Sequence, residues 1–257
     1  MKNPLNTKFV LLATQRSGST WVIDMLNSHD RIAAYSELFL ENGQGKPTWG
    51  GEKDTLLWAT YYAEQKNKSI HADRRALLFR YLDELYAPRQ AIQSIGFKLM
   101  YGQAGAFPDL CEYFVANDVR IIHLIRRNLL DIVVSKALAE ARDAYHARVG
   151  DDLLEARIHL DTSDLLHRLR WEQREVQRAT ERFAALSLPY MEVLYEHLAA
   201  DDSQFGRLLE FLGVKPGRQR LRSSLRRMNT ATHRQVIVNY DSVRRCLHGT
   251  EFAEFLR

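Results

Sequence analysis

Residues 9–21 (Phe-Val-Leu-Leu-Ala-Thr-Gln-Arg-Ser-Gly-Ser-Thr-Trp) constrain the fold more than any other part of the chain. An apolar run enters a polar, glycine-bearing turn, and the turn enters a helix-like pattern. Strand, loop and helix in that order form the setting of a phosphate-binding loop. There, backbone N–H groups at a helix N-terminus and the helix dipole receive an anion. The lysine of a nucleoside-triphosphate loop is absent: the turn closes as Gly18-Ser19-Thr20, and Ala13 stands where that loop's first glycine would be. Arg16 lies inside the turn instead, a forked cation suited to phosphate. Ser17, Ser19 and Thr20 add hydroxyls, and Gly18 permits close approach of the backbone. The pattern suits a 5′-phosphate group rather than ordinary ATP chemistry. On these residues alone, a capped helix after a buried strand, with Arg16 exposed, is an equal reading.

Four short apolar runs rich in β-formers, at 9–14, 94–101, 119–126 and 190–195, are separated by helical patterns. The alternation predicts an α/β fold: a three-layer, P-loop-like arrangement with a mostly parallel sheet between helices. Residues 31–36 add a short extended segment. Helices are expected at 55–66, 73–86 and 128–148, at 164–186 with Ser163 or Thr162 as cap, and at 204–212, where Gly213 and Pro216 stop the chain. Residues 41–51 hold the densest cluster of turn formers and read as a surface loop of the kind that covers sites. With 257 residues and no repeat, the chain reads as one domain over 1–257.

The net charge of +4 suits an anionic ligand, and the basic residues are too scattered to argue for nucleic acid. Cys111 and Cys246 stand far apart in no metal-like spacing, so neither a disulfide framework nor a metal site is expected. Near the start only residues 9–13 form a continuous apolar run, too short for a signal segment or a membrane span. The expectation is a cytoplasmic protein with no membrane anchor; its oligomeric state, a homodimer included, stays open.

A second constellation lies at 121–135 (Ile-Ile-His-Leu-Ile-Arg-Arg-Asn-Leu-Leu-Asp-Ile-Val-Val-Ser). A buried strand delivers Arg126 and Arg127 at its carboxyl end, where open α/β sheets bind ligands. Ser135 follows Arg127 by a little over two helical turns, so the two can grip a second phosphate. Alternatively, the arginines merely solvate a strand end and Ser135 packs on a neighbour.

Together these motifs resemble the sulfotransferases that use 3′-phosphoadenosine 5′-phosphosulfate. Residues Gln15 to Trp21 are similar to that family's 5′-phosphosulfate loop, and Arg127-Asn128 through Asp131 to Ser135 to its 3′-phosphate motif, with Leu129 in place of the usual proline. Tyr195-Glu196-His197-Leu198, followed by Phe211-Leu212-Gly213-Val214, resembles the family's Tyr-Glu-x-Leu and Phe-Leu-Gly pair. The resemblance implies a phosphosulfate donor held by Arg16, Ser17, Gly18, Ser19, Thr20 and Trp21 at one end, and by Arg127 and Ser135 at the other. Tyr195 would lie near the adenine, and no metal is required. Ser36-Glu37-Leu38-Phe39 resembles the catalytic Glu-Phe-Phe of bacterial carbohydrate sulfotransferases of the trehalose and nodulation-factor type. That branch implies a saccharide or glycolipid hydroxyl as acceptor, with a small natural-product hydroxyl as the variant.

The resemblance makes Glu37 the candidate general base, while Lys98 and Arg16 are candidates to stabilise charge on the transferred group and the leaving phosphate. His29 and His71 are rival bases. Trp49 and Trp58 are candidates to stack on a sugar, although Trp58 is better read as helix packing, and Trp21 as packing the first helix on the sheet. A basic run at Arg226, Arg227, Met228, Asn229 and Thr230 is a candidate cap over the 3′-phosphate. Two other classes remain: a P-loop kinase, which leaves the two-arginine pattern unexplained, and a non-catalytic nucleotide- or nucleic-acid-binding module.

Overall fold

The computed structural model describes residues 6–40, 43, 55–68, 73–142, 156–215, 220–225 and 231–256. Trp49, His71, the basic run at 226–230 and nearly all of the loop at 41–51 lie outside the described residues.

Five strands carry the core: β1 (Thr7–Ala13), β2 (Ile32–Glu37), β3 (Ser94–Met100), β4 (Arg120–Ile125) and β5 (Tyr190–Leu194). They form one sheet in the order β2-β3-β1-β4-β5, and every neighbouring pair is parallel. The expected extended segment at 31–36 is edge strand β2. Helices fill the connections: α1 (Ser19–Asn27), α2 (Trp58–Lys68), α3 (Arg74–Leu85), α4 (Tyr101–Ala106), α5 (Asp109–Ala116), α6 (Leu129–Arg142) and α7 (Leu165–Ala184). After β5 come α8 (Tyr195–Ala200), α9 (Phe205–Phe211), α10 (His233–Val236) and α11 (Tyr240–Leu247). No helix among the described residues is long and apolar enough to cross a membrane.

Strand alternation sorts the core onto two faces. Val10, Leu12, Phe97 and Ile121 point to one, against Tyr35, Phe39, Trp58, Tyr81, Tyr113 and Phe183. Phe9, Leu11, Ala13, Ile122 and Leu124 point to the other, against Val22, Ile23 and Leu26 of α1 and Phe205 and Leu208 of α9. Trp58 is thus a packing residue, 4 % exposed and in ring contact with Phe39, Tyr61 and Tyr81. After β1 the chain crosses by α1 on the second face; after β3 it crosses by α5 on the first. Adjacent strands whose connections leave on opposite faces open a crevice at their carboxyl ends. Here that crevice lies between β1 and β3.

Two local expectations are corrected. Neither Thr162 nor Ser163 caps α7: Asp164 precedes the helix, and the Ser163 hydroxyl and N–H both donate to Asp161 Oδ1, at 2.7 and 2.9 Å. The nearby carboxylate outcompetes the helix end for that serine. The run at 94–101 ends as a strand at Met100, and Tyr101 opens α4. Strand passes to helix there, and again at Leu194–Tyr195, with an apolar residue at the cap and no turn former to mark the boundary.

Candidate active site

The turn after β1 is built to expose amides. Thr14 stays buried, and its carbonyl accepts from the Ser17 hydroxyl at 2.7 Å, closing the turn. Arg16 sits at φ 63 and Gly18 at φ 89, the left-handed region that costs a side-chain-bearing residue about 1 kcal/mol or more. Gly18 is required twice over, since a Cβ there would also run into the Tyr195 ring. As N-cap of α1 it has no side chain to satisfy the first-turn N–H groups. The buried Ser19 and Thr20 open that turn.

Arginines from two strand ends stiffen the turn. Arg16 Nε donates to Ser135 Oγ on α6 at 3.0 Å, across 119 residues of sequence. Arg126, at the end of β4, donates from Nη1 to the Arg16 carbonyl (2.9 Å) and from Nη2 to Asp131 Oδ2 (3.0 Å). Its guanidinium lies over the Tyr195 ring, 4.9 Å from the centroid, in cation–π contact. Arg126 Nε is buried with no partner among the described residues. Asp131 is held in turn by His233 Nε2 at 2.8 Å. Glu196 accepts from the N–H groups of Arg127 and Asn128, both at 3.1 Å, and so ties α8 to the start of α6. The Arg127 side chain is exposed. Ser135 therefore meets Arg16 in this structure, a partner that the spacing from Arg127 does not give it. Trp21 packs edge-on against Tyr195 and Phe205, at centroid distances of 5.9 and 5.4 Å.

Glu37 and Lys98 face each other on the far side of β1. Ordinary parallel register would continue Tyr35↔Phe97 as Ser36↔Lys98. The register shifts instead, and Glu37 pairs with Lys98. The extra residue is a bulge, which re-aims the side chain that follows it. Glu37 thereby turns to the Lys98 side, and Leu38 and Phe39 plunge into the core behind it. Lys98 Nζ lies 2.9 Å from Glu37 Oε1 and donates to Thr20 Oγ1 at 3.0 Å. The Lys98 side chain is 3 % exposed and that of Glu37 is 21 %. Burial pulls the Lys98 ammonium below its ordinary value, the Glu37 carboxylate opposes that pull, and Arg16 adds to it.

Sequence reasoning missed Gln103, Glu196, and the half-buried chain Tyr101–His123–Tyr190. Gln103 Nε2 donates to Glu37 Oε2 at 3.1 Å, and its Oε1 accepts from the Met100 N–H at 3.0 Å. His123 is fully buried, with Tyr101 and Tyr190 hydroxyls each 2.6 Å from a ring nitrogen, and burial drives its pKa down to about 4. Glu196 lay inside the quoted Tyr-Glu motif and was legible there. His29 lies beyond the end of α1 at the amino edge of the sheet, with Nε2 3.2 Å from the Lys215 carbonyl and the Arg31 N–H donating to Nδ1. It stands at the opposite end of α1 from the turn.

A family model described as the sulfotransferase family matches residues 9–216. Nodulation protein H of Rhizobium tropici is 23 % identical over 268 residues, covering 98 % of this chain and 94 % of that protein. A sulfotransferase structure from Alicyclobacillus acidocaldarius is similar with a TM-score of 0.50 at 14 % identity, over 98 % of this chain and 99 % of its own. The sulfotransferase domain of the Synechococcus PCC 7002 olefin synthase is similar with a TM-score of 0.45 at 19 % identity, over 84 % and 76 % of the two chains. The family match takes in the turn after β1, both arginine-bearing strand ends and Tyr195 in one span, and on that span the chain belongs to the sulfotransferase family, enzymes of sulfuryl transfer.

Proposed function

We propose that the donor is 3′-phosphoadenosine 5′-phosphosulfate and that the acceptor is a hydroxyl of a saccharide or glycolipid. The contact between Arg16 and Ser135 carries the donor reading, because it joins the two motifs assigned to the donor's two phosphate ends. The turn suits such a group on three counts: among the described residues no side chain caps α1 and the buried Arg126 Nε has no partner, and Gly18 has no room for a Cβ. When bound, the donor supplies the sulfuryl group and a leaving phosphate. The N–H groups from Ser17 to Thr20, with Arg16 and the Thr20 hydroxyl, hold the 5′ end. Arg127 and Ser135 hold the 3′-phosphate. Tyr195 and Trp21 back the turn and fix its depth.

Glu37 receives the proton of the acceptor hydroxyl as general base. Lys98, between Glu37 and Thr20, neutralises charge developing between base and loop. Its neighbours favour this role: Thr20 opens the donor's helix, and Glu37 is the base. The saccharide reading is supported by the likeness of residues 36–39 to carbohydrate sulfotransferases and is in keeping with the Nodulation protein H match. A screen with radiolabelled donor tests it. Oligosaccharides and glycolipids are expected to take label, and label confined to phenolic or other natural-product hydroxyls would overturn the saccharide assignment.

A further inference from the structure

We propose that Gln103 is a positioning residue that holds one oxygen of the Glu37 carboxylate while Lys98 holds the other. The proposal rests on the reading of Glu37 as base. Its basis is the direction in which the Gln103 amide faces. Gln103 Oε1 is taken by the Met100 N–H at 3.0 Å, so the amide nitrogen faces Glu37 Oε2 at 3.1 Å. Lys98 Nζ engages Oε1 at 2.9 Å. The two donors come from β3 and from α4, which follows it without a loop.

A neutral donor suits this place. A lone ammonium can draw both carboxylate oxygens to itself and quench the base as an ion pair. A second cation would lower the basicity of the carboxylate. Among the described residues, the cations that bear on this cluster are Lys98 on β3 and Arg16 in the turn, whose charge is felt at Lys98. An amide adds direction without adding charge.

Its support is rigid. Tyr190 donates to Glu192 Oε1 at 3.1 Å, so its oxygen accepts from His123 Nδ1–H. The other ring nitrogen, Nε2, then accepts from the Tyr101 hydroxyl at 2.6 Å. The first residue of α4 is thereby anchored to β4 and β5, two residues before Gln103.

Two substitutions separate positioning from simple helix capping. Gln103→Glu keeps an acceptor for the Met100 N–H but replaces the donor by a second carboxylate. Gln103→Met removes both contacts. Both are expected to lower kcat between about 10- and 100-fold with KM for the donor unchanged. The acidic limb of kcat against pH should move to higher pH, and further in Gln103→Glu, where like charges oppose ionisation. A melting-temperature rise with adenosine 3′,5′-bisphosphate reports that each variant is folded; if Gln103→Met fails this check, Gln103→Glu carries the test alone. Wild-type kcat and pH profile in Gln103→Glu would make Gln103 a cap only and overturn the proposal. Glu37→Gln in the same assay separates the two claims. If Glu37→Gln is inactive and the Gln103 variants are unchanged, the positioning role fails and the base survives. If Glu37→Gln turns over normally, the base reading fails and takes the positioning role with it.

Discussion

On the β1 and β4 side of the sheet's carboxyl edge, the functional groups arrive in contiguous runs; on the β2 and β3 side, each arrives from a different element. The proposed donor side is a backbone turn braced by arginines. Arg126 alone grips the Arg16 carbonyl, Asp131 and the Tyr195 ring. The proposed base side is one carboxylate aimed by a bulge and held by Lys98 and Gln103. The contrast separates binding from chemistry. A turn fixed by packing can hold an anion whether or not the base works, and a base aimed by register can fail without disturbing the turn.

Glu37→Gln should break the two sides apart most strongly. The account expects kcat to fall by about 10²- to 10⁴-fold. Affinity for adenosine 3′,5′-bisphosphate, measured by calorimetry, should stay within about twofold, because Gln keeps the shape of Glu37 and Lys98 stays bonded to Thr20. Equal losses in both would mean that the two sides are not separable.

Gly18→Ala attacks the donor side instead. The substitution meets both a left-handed backbone and the Tyr195 ring. It should cost about 2 kcal/mol or more in urea unfolding and abolish adenosine 3′,5′-bisphosphate binding. A variant of wild-type stability and affinity would remove the argument that this turn is packed into shape.

A separate effect, on stability against pH, comes from His123. Burial holds it neutral, with a pKa of about 4 against an ordinary 6.5. A depressed value means that the unfolded chain binds the extra proton first. The stabilisation is complete above pH 6.5 and is lost as pH falls towards 4, by up to about 3 kcal/mol. His123→Asn should flatten that fall in chemical denaturation at pH 7, 6, 5 and 4.5. An unchanged slope would place the acid sensitivity elsewhere.

The same contrast explains what could be read from the residues alone. Residues 15–21 and 126–135 carry their geometry in neighbouring positions, so the turn, its strand and its helix were legible together. The four apolar runs marked four of the five strands because parallel, doubly covered strands are apolar throughout. Glu37 was legible only through its resemblance to a family motif. Nothing in Tyr-Ser-Glu announces a bulge, which depends on the partner strand's register. Gln103 stood on a helix that starts without a turn former, and its partner is 66 residues away. Arg126 read as a strand-end cation, yet it braces the turn through contacts 110 residues apart. Such long-range pairings are set by topology.

The most direct test of a donor site that is independent of the base compares melting temperatures of the wild type and Glu37→Gln. Each is measured with adenosine 3′,5′-bisphosphate and with magnesium ATP. At 100 times its dissociation constant, a ligand of the folded state alone stabilises by about 2.7 kcal/mol. The account predicts that both proteins rise equally with adenosine 3′,5′-bisphosphate and much less with magnesium ATP. Equal rises with the two nucleotides, or a rise in the wild type that Glu37→Gln loses, would contradict it.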